Sequence, residues 1–169
     1  PEGDLFLCPE ASTLSILPWR PSHGRVARFM CSIKYHSGKP FEGDCRALLA
    51  QAENKARELG YTVKAGAECE FYLFKLDEKG NATSTPFDNA GYMDVAPLDR
   101  GENVRREICL TLEDMGIQPE SSHHEKGPGQ NEIDFKFSDA LITADRLITV
   151  KWVISSVAAR NGLHASIER

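Results

Sequence analysis

Residues 123–137, HHEKGPGQNEIDFKF, place two glutamates on either side of a Gly-Pro-Gly turn. Glu125 precedes the turn, and Glu132 opens a stretch that alternates polar and apolar side chains, as a β-strand does. The polar face of this strand consists of Glu132, Asp134 and Lys136, and the other face consists of Ile133, Phe135 and Phe137. The turn is therefore expected to bring the carboxylates of Glu125 and Glu132 together.

A second predicted strand, residues 65–74 (AGAECEFYLF), carries two further glutamates. Glu68 and Glu70 are two positions apart and share one face, whereas Cys69 faces the opposite side and is predicted to be core. Four carboxylates on two short strands exceed what solubility requires. If the strands are neighbours in a sheet, their charge balances two divalent cations, and oxygen ligands suit Mg²⁺ or Mn²⁺. Without metal, mutual repulsion is expected to raise the carboxyl pKa values.

The two adjacent histidines point to opposite sides of their strand. His123 has the same parity as Glu125, so it is the better candidate for a metal ligand or a phosphate contact. For His124, a structural role and a role in the site carry equal weight. Residues 127–129 lack the Gly-x-x-x-x-Gly-Lys pattern of a phosphate loop, so they are interpreted as a turn.

Length and composition describe a globular chain. The chain has 169 residues, of which 41% are hydrophobic, and a net charge of −5, which disfavours nucleic-acid binding. Since no apolar run approaches the roughly 20 residues that span a bilayer, no membrane segment is expected. The cysteines are five in number and scattered. They are predicted to be small buried residues of a protein in the reducing cytoplasm.

The order of predicted elements favours an α+β fold. Strand-like segments fill residues 5–35, and helices are predicted at residues 45–59, 102–115 and 138–161. Asp44 and Ser138 are the expected N-caps of the first and third helices, and Leu48, Ala52, Ala56 and Leu59 the apolar stripe of the first. Further strands are predicted at residues 117–122 and from Leu163, and residues 83–97 are predicted as a loop. Because the strands carry polar faces, we expect a mixed or antiparallel sheet with flanking helices and one open polar face.

Several motifs in the same order resemble bacterial type I glutamine synthetase. They include AGAECEFYLF (65–74), GYMD (91–94), GENVRR (101–106), ESSHHE (120–125) and GPGQNEIDF (127–135). Residues 4–44 are similar to the family as well. The resemblance implies a glutamine synthetase catalytic-domain fold. Residues 1–43 would be part of a small N-terminal β-grasp domain, and residues 44–169 the first, truncated portion of the catalytic domain.

The resemblance also implies an activity and the residues that serve it. The family ligates ammonia to glutamate with ATP, through γ-glutamyl phosphate at a two-metal site, in glutamine biosynthesis and nitrogen metabolism. Glu70, Glu125 and Glu132 would hold one Mg²⁺ or Mn²⁺, and Glu68 would help to hold the second. Glu120, His123 and Phe137 would bind the nucleotide. Intact members assemble as ring-shaped dodecamers in the cytoplasm.

The chain also departs from the family pattern. After Ala165 it reads Ser166-Ile167-Glu168-Arg169 instead of the family's Met-Pro-Lys-Pro segment, and further family motifs are missing. We therefore expect a fragment that is inactive by itself and in which the ring assembly is doubtful. Two alternatives stay open: a sister ligase that joins glutamate to another amine, and a non-catalytic interaction fragment.

Overall fold

A computed structural model describes residues 3–167 and contains nine strands, three α-helices and two short 3-10 helices in that range. The strands are β1 (Leu5–Pro9), β2 (Ser15–Ile16), β3 (Ala27–Arg28), β4 (Cys31–Tyr35), β5 (Lys64–Leu76), β6 (Ala82–Pro86), β7 (Pro119–His124), β8 (Gln130–Asp139) and β9 (Leu163–Ile167). The α-helices are α1 (Cys45–Glu58), α2 (Glu102–Asp114) and α3 (Ala140–Arg160). In the part of the chain so described, no helix is long and apolar enough to cross a membrane.

The chain divides into two compact units. The first comprises the chain up to Ala65 together with Ser138–Asp145. The second comprises Gly66–Phe137 together with the chain from Arg146 onwards.

The first unit contains two small antiparallel sheets and α1. Strand β1 pairs with β4, and β2 pairs with β3. Asp44 is the N-cap of α1, as predicted: its carboxylate accepts hydrogen bonds from the backbone N–H groups of Arg46 and Ala47. Gly60 follows the helix with a φ of 85°, a conformation that glycine adopts without strain.

The predicted apolar stripe of α1 is wrong. Leu48 and Leu59 are 50% and 65% exposed, and Ala56 alone of the four predicted residues is half-buried. Polar contacts orient the helix instead. Arg46 makes a bidentate salt bridge to Asp145, with both N···O distances 2.9 Å. The Glu53 carboxylate accepts a hydrogen bond from the backbone N–H of Leu141 at 2.9 Å, and so it serves one of the free N–H groups at the start of α3.

The second unit is built on a five-stranded sheet in the order β6-β5-β8-β7, with β9 also paired with β5. The β5–β6, β5–β9 and β7–β8 pairs are antiparallel, which confirms the predicted α+β arrangement. Fully buried side chains from β5, β8 and the two helices form the core. They include Phe71, Leu73, Ile133, Ile108, Leu112, Val150, Val153, Ile154 and Val157.

Several element boundaries differ from the prediction. Strand β8 runs through Ser138, so Ser138 is not an N-cap and α3 begins at Ala140. Strand β7 ends at His124 rather than at Ser122, and β6 lies within the predicted loop. These segments are polar, and their strand conformation comes from pairing with neighbouring strands rather than from local preference.

The prediction for the cysteines holds for one of them. Cys69 is 2% exposed, and burial raises the pKa of its thiol to about 11. Cys8, Cys31 and Cys109 are half-buried, and Cys45 is exposed. All five are free thiols, in agreement with their scattered spacing.

Candidate functional site

The β7–β8 hairpin positions the candidate site. The two strands are antiparallel, with His123 opposite Glu132 and His124 opposite Asn131. The turn between them is closed by a hydrogen bond from the Glu125 N–H to the Gln130 carbonyl at 2.8 Å. Directly opposed residues of an antiparallel pair have their side chains on the same face, so the hairpin brings His123 and Glu132 together and returns Glu125 beside them.

His123, Glu125 and Glu132 form a compact cluster. One donor atom from each residue lies within 4.8 Å of the others. His123 Nε2 is 3.0 Å from Glu125 Oε1 and 3.6 Å from Glu132 Oε2. All three side chains are no more than 13% exposed. The predicted meeting of Glu125 and Glu132 across the turn is therefore observed.

The electrostatics of the two glutamates differ. Burial, together with hydrogen bonding and repulsion from Asp134 and then from Glu125, raises the pKa of Glu132 to about 8. Burial also acts to raise the pKa of Glu125. The hydrogen bonds that Glu125 accepts from His123 and the Lys126 N–H outweigh that effect, so its pKa is lowered. The expected direction of the pKa shift is found for Glu132, where burial contributes more than repulsion, and is wrong for Glu125.

The chemistry of the cluster fits a hard divalent cation. Two carboxylates and one imidazole are ligands that Mg²⁺ and Mn²⁺ accept. Among the described residues, His123 Nδ1 and Asp134 Oδ1 are buried atoms that have no hydrogen-bond partner. Because buried polar atoms are nearly always paired, the unpaired His123 Nδ1 and Asp134 Oδ1 show that polar groups in and next to the cluster are not all satisfied by the protein.

Glu70 lies outside the three-residue cluster but is hydrogen-bonded to Gln130, at the end of the turn that carries it. Glu70 Oε2 accepts a hydrogen bond from Gln130 Nε2 at 2.6 Å. Gln130 Oε1 in turn accepts the Gly127 N–H at 2.9 Å. Gln130 therefore links the carboxylate on β5 to the turn between β7 and β8. The predicted neighbourhood of the two acidic strands is confirmed, because β5 and β8 are adjacent in the sheet.

Glu68, Glu120 and Phe137 line an open pocket of about 530 Å³ together with Asp134, which also interacts with Glu132 of the cluster. Glu68 and Glu120 are exposed, and Phe137 is 57% exposed rather than packed with Ile133 and Phe135. The candidate residues therefore fall into two groups, one around His123 and one around Glu68.

His124 is a packed histidine on the opposite side from His123. It is 1% exposed, and its Nε2 lies 2.8 Å from Asp88 Oδ1. Its Nδ1 lies 2.6 Å from the backbone carbonyl oxygen of Glu125. Both ring nitrogens of His124 therefore face oxygen atoms of the protein and not solvent. The structural alternative for His124 is therefore the one observed.

Comparison with known proteins agrees with these motifs and this fold. The family model described as "Glutamine synthetase, catalytic domain" matches residues 42–168.

The chain belongs to the glutamine synthetase family.

Curated relatives belong to the same family. The chain is 54% identical over 165 residues to the glutamine synthetase of Clostridium saccharobutylicum and 48% identical to that of Methanosarcina mazei. In each case the match covers 98% of this chain and 37% of the relative. The chain therefore spans about 37% of the length of these glutamine synthetases.

The solved structures share the fold. A GmaS/ADP complex superposes with a TM-score of 0.85 at 34% identity, covering 98% of this chain and 38% of that one. The Plasmodium falciparum glutamine synthetase superposes with a TM-score of 0.83 at 25% identity, covering 96% and 37% of the two chains. These agreements confirm the family that the sequence motifs indicated.

Sequence reasoning missed a buried polar network that reaches Asn131, the residue before Glu132. Arg105 is 4% exposed and makes a bidentate salt bridge to Asp99, at 3.1 and 2.6 Å. The same guanidinium donates to Asn131 Oδ1 at 2.6 Å, next to Glu132 in sequence. Asp99 and Arg105 are six positions apart on a loop and a helix. No periodic pattern predicts their pairing, and surface helix arginines are usually solvated.

Proposed function

We propose that the cluster of His123, Glu125 and Glu132 holds a divalent cation, Mg²⁺ or Mn²⁺. The convergence of these three donors within 4.8 Å is the observation that carries the proposal. Glu70, which is hydrogen-bonded to Gln130, is the further carboxylate of this cation site. Glu68, on the same face of β5, contributes to a second cation site. When bound, the cations supply positive charge that stabilises a transferring phosphoryl group.

The pocket lined by Glu68, Glu120 and Phe137 is the proposed binding site for ATP. Its exposed Phe137 ring offers an apolar surface for the adenosine, while Glu68 and Glu120 supply oxygen acceptors beside it. His123 is itself a member of the acidic cluster, and its proposed alternative role is to contact a phosphate of ATP beside the cation held by Glu125 and Glu132. Binding across the two groups of residues would bring the phosphates of ATP towards the cations.

The whole protein is proposed to ligate ammonia to glutamate. A γ-carboxylate oxygen of glutamate takes the γ-phosphoryl group of ATP, which gives γ-glutamyl phosphate and ADP. Ammonia then attacks the carbonyl carbon, phosphate leaves, and loss of a proton gives glutamine. The residues of this chain hold and orient the phosphates during these steps. The match to glutamine synthetases at 54% and 48% identity supports this reaction.

Assembly and domain organisation are proposed from the family as well. Residues 1–43 would belong to an N-terminal β-grasp domain and residues 44–169 to the first part of the catalytic domain, within a ring-shaped oligomer of the whole protein. Because the chain spans 37% of its relatives, we propose that it lacks turnover by itself. A sister ligase acting on another amine and a non-catalytic interaction fragment are the alternatives.

Calorimetric titration of the 169-residue chain with Mn²⁺ tests the metal site. The unaltered chain should bind Mn²⁺ weakly, and Glu132→Gln should weaken binding by at least about tenfold because it removes a charged ligand. Glu78→Gln, an exposed glutamate in the β5–β6 turn, is the matched control and should leave the curve unchanged. Identical curves for the unaltered chain and Glu132→Gln would remove the proposal.

A further inference from the structure

A buried acid–histidine pair lies directly behind the proposed cation site without being part of it. The side chains of Asp88 and His124 are 2% and 0% exposed, and Asp88 Oδ1 lies 2.8 Å from His124 Nε2. Asp88 precedes α2, whereas His124 ends β7, so the contact joins positions 36 residues apart. Burying two charged or polar groups is unfavourable unless they are hydrogen-bonded to each other and to their surroundings.

Both oxygens of Asp88 are fully engaged by donors from three segments. Oδ1 lies 2.8 Å from His124 Nε2 and accepts a hydrogen bond from the backbone N–H of Gly129 at 3.1 Å. Oδ2 accepts the backbone N–H of Arg100 at 2.9 Å. One carboxylate thus holds the end of β7, the β7–β8 turn and the loop before α2 in a single arrangement.

The second nitrogen of His124 extends this arrangement to Glu125. His124 Nδ1 donates to the Glu125 carbonyl oxygen at 2.6 Å, and the Glu125 N–H donates to the Gln130 carbonyl at 2.8 Å. Both backbone polar groups of Glu125 are therefore fixed. With the peptide groups on either side held, the direction in which the Glu125 side chain leaves the backbone is set as well.

The same pair fixes the far side of the turn. Gly129, whose N–H is held by Asp88, has a φ of 71°, and its carbonyl accepts hydrogen bonds from the Leu73 N–H and Asn131 Nδ2 at 2.8 Å each. Asn131 immediately precedes Glu132. The Asp88–His124 pair therefore anchors the chain on both sides of the turn that separates the two glutamates.

We infer that Asp88 and His124 are positioning residues, which hold the backbone on both sides of the turn so that the carboxylates of Glu125 and Glu132 converge on one cation. The inference rests on the proposed function of the cluster as a cation site. Neither residue offers a free atom to the cation, because all their polar side-chain atoms are engaged as described. Their effect passes through Glu125 and the turn, and outer groups that orient metal ligands typically change metal affinity by about 10- to 100-fold.

Mn²⁺ binding measured by electron paramagnetic resonance tests this inference, because free Mn²⁺ gives a signal that falls as the ion binds. Asp88→Asn should raise the Mn²⁺ dissociation constant of the chain by about 10- to 100-fold. His124→Gln replaces the imidazole by an amide, which can still donate hydrogen bonds but cannot make both contacts of the ring. It should also raise the Mn²⁺ dissociation constant, and it provides the test if Asp88→Asn does not fold. Circular dichroism identifies the folded variants.

Thr111→Val is the matched control. It removes one buried hydrogen bond, from Thr111 Oγ1 to the Glu107 carbonyl at 2.7 Å in α2, without touching the turn. Its Mn²⁺ affinity should equal that of the unaltered chain.

A second measurement distinguishes a positioning role from a general loss of structural order. In a Glu125→Gln background, Asp88→Asn should cause a smaller further loss than in the unaltered chain, because one of the two carboxylates that it orients is no longer a charged ligand.

The outcomes are distinct. If folded Asp88→Asn and His124→Gln bind Mn²⁺ as tightly as the unaltered chain, the cation site stands and the positioning role is overturned. A full further loss in the Glu125→Gln background would also overturn it, because the effect would not pass through Glu125. If the unaltered chain itself fails to bind Mn²⁺, the proposed cation site is overturned and the positioning role with it.

Discussion

Single residues decide where the proposed cation site lies. Glu132 is buried beside Asp134 and Glu125, and these surroundings raise its pKa to about 8. Glu125, two residues from the His123 imidazole, accepts two hydrogen bonds and has a lowered pKa. Two glutamates whose carboxylates lie close together thus have pKa values shifted in opposite directions. The shifts follow from the number of donors and the degree of burial, which position along the chain does not reveal.

The side-chain carboxylate of Asp44 accepts hydrogen bonds from two elements, α1 and β4. It caps α1 through the N–H groups of Arg46 and Ala47, and it also accepts the Ile33 N–H at 2.9 Å. Asp44→Ala should lower the free energy of unfolding by about 1–2 kcal/mol, measured by urea denaturation at pH 7. Asp44→Asn, which keeps one capping oxygen, is the matched control and should cost less. Equal losses for the two variants would contradict the capping role.

The pH dependence of this contribution has a definite sign. Hydrogen bonds, led by the one from the Ile33 N–H, hold the pKa of Asp44 below its ordinary value of 3.8 despite burial. A carboxyl whose folded-state pKa is lowered adds stability fully above the unfolded-state pKa. That stability is lost as the pH falls through the lower folded-state value. The free energy of unfolding, measured by urea denaturation at a series of pH values between about 5 and 2, should therefore depend less steeply on pH for Asp44→Ala than for the unaltered chain.

At the scale of elements, the β7–β8 hairpin is the unit that builds the cluster. Its register places His123 opposite Glu132, and its turn packs closely against β5. A Cβ at Gly129 would lie 2.8 Å from the Leu73 carbonyl oxygen, and the residue has a φ of 71°. The turn therefore requires glycine both for its backbone conformation and for its close approach to the neighbouring strand.

Substitution of two glycines separates these requirements. Gly80, in the β5–β6 turn, has a φ of 81° with nothing within 4 Å of an added Cβ. Gly80→Ala should therefore cost only the conformational penalty of about 1–2 kcal/mol. Gly129→Ala adds the clash with Leu73, so urea denaturation should give a loss of about 2–5 kcal/mol. Similar losses in the free energy of unfolding for both variants would show that the close approach of Gly129 to β5 does not add to the cost of the substitution.

At the scale of the whole molecule, both groups of candidate residues belong to one unit of the chain. The acidic cluster and the pocket around Glu68 both lie in the second unit, on and beside the five-stranded sheet. The chain spans 37% of the glutamine synthetases it matches. The proposed reaction needs groups that bind glutamate and ammonia in addition to the residues that hold phosphates and cations.

A γ-glutamyl transfer assay tests the proposed lack of turnover. The chain with Mn²⁺, ADP, glutamine and hydroxylamine should give no more γ-glutamyl hydroxamate than the same mixture with Glu132→Gln. Positioning and charge stabilisation both contribute large factors to phosphoryl transfer, and part of a site supplies only part of each. Product formation that depends on Glu132 would contradict the prediction, and replacing hydroxylamine by alkylamines would then report the amine preference.

Local patterns in the sequence determined the type of most elements. Alternation in residues 130–137, the Asp44 cap, and the glycines after α1 and α2 act over a few residues, so they can be interpreted without knowing the fold. The same parity argument put His123 and Glu125 on one face and Cys69 in the core, and the structure agrees. The motifs of residues 65–135 also indicated the family.

Only the tertiary structure decided which groups meet over long separations. Asp88 with His124, Arg105 with Asn131 and Glu53 with the start of α3 are joined across 36, 26 and 88 positions. Such contacts depend on strand order and loop closure, on which short-range periodicity carries no information. For the same reason the four glutamates do not form one group. Glu125 and Glu132 lie in the compact cluster, Glu70 is joined to its turn through Gln130, and Glu68 lines a pocket that also contains Asp134. Sequence parity determines the face of a side chain, and packing determines its neighbours.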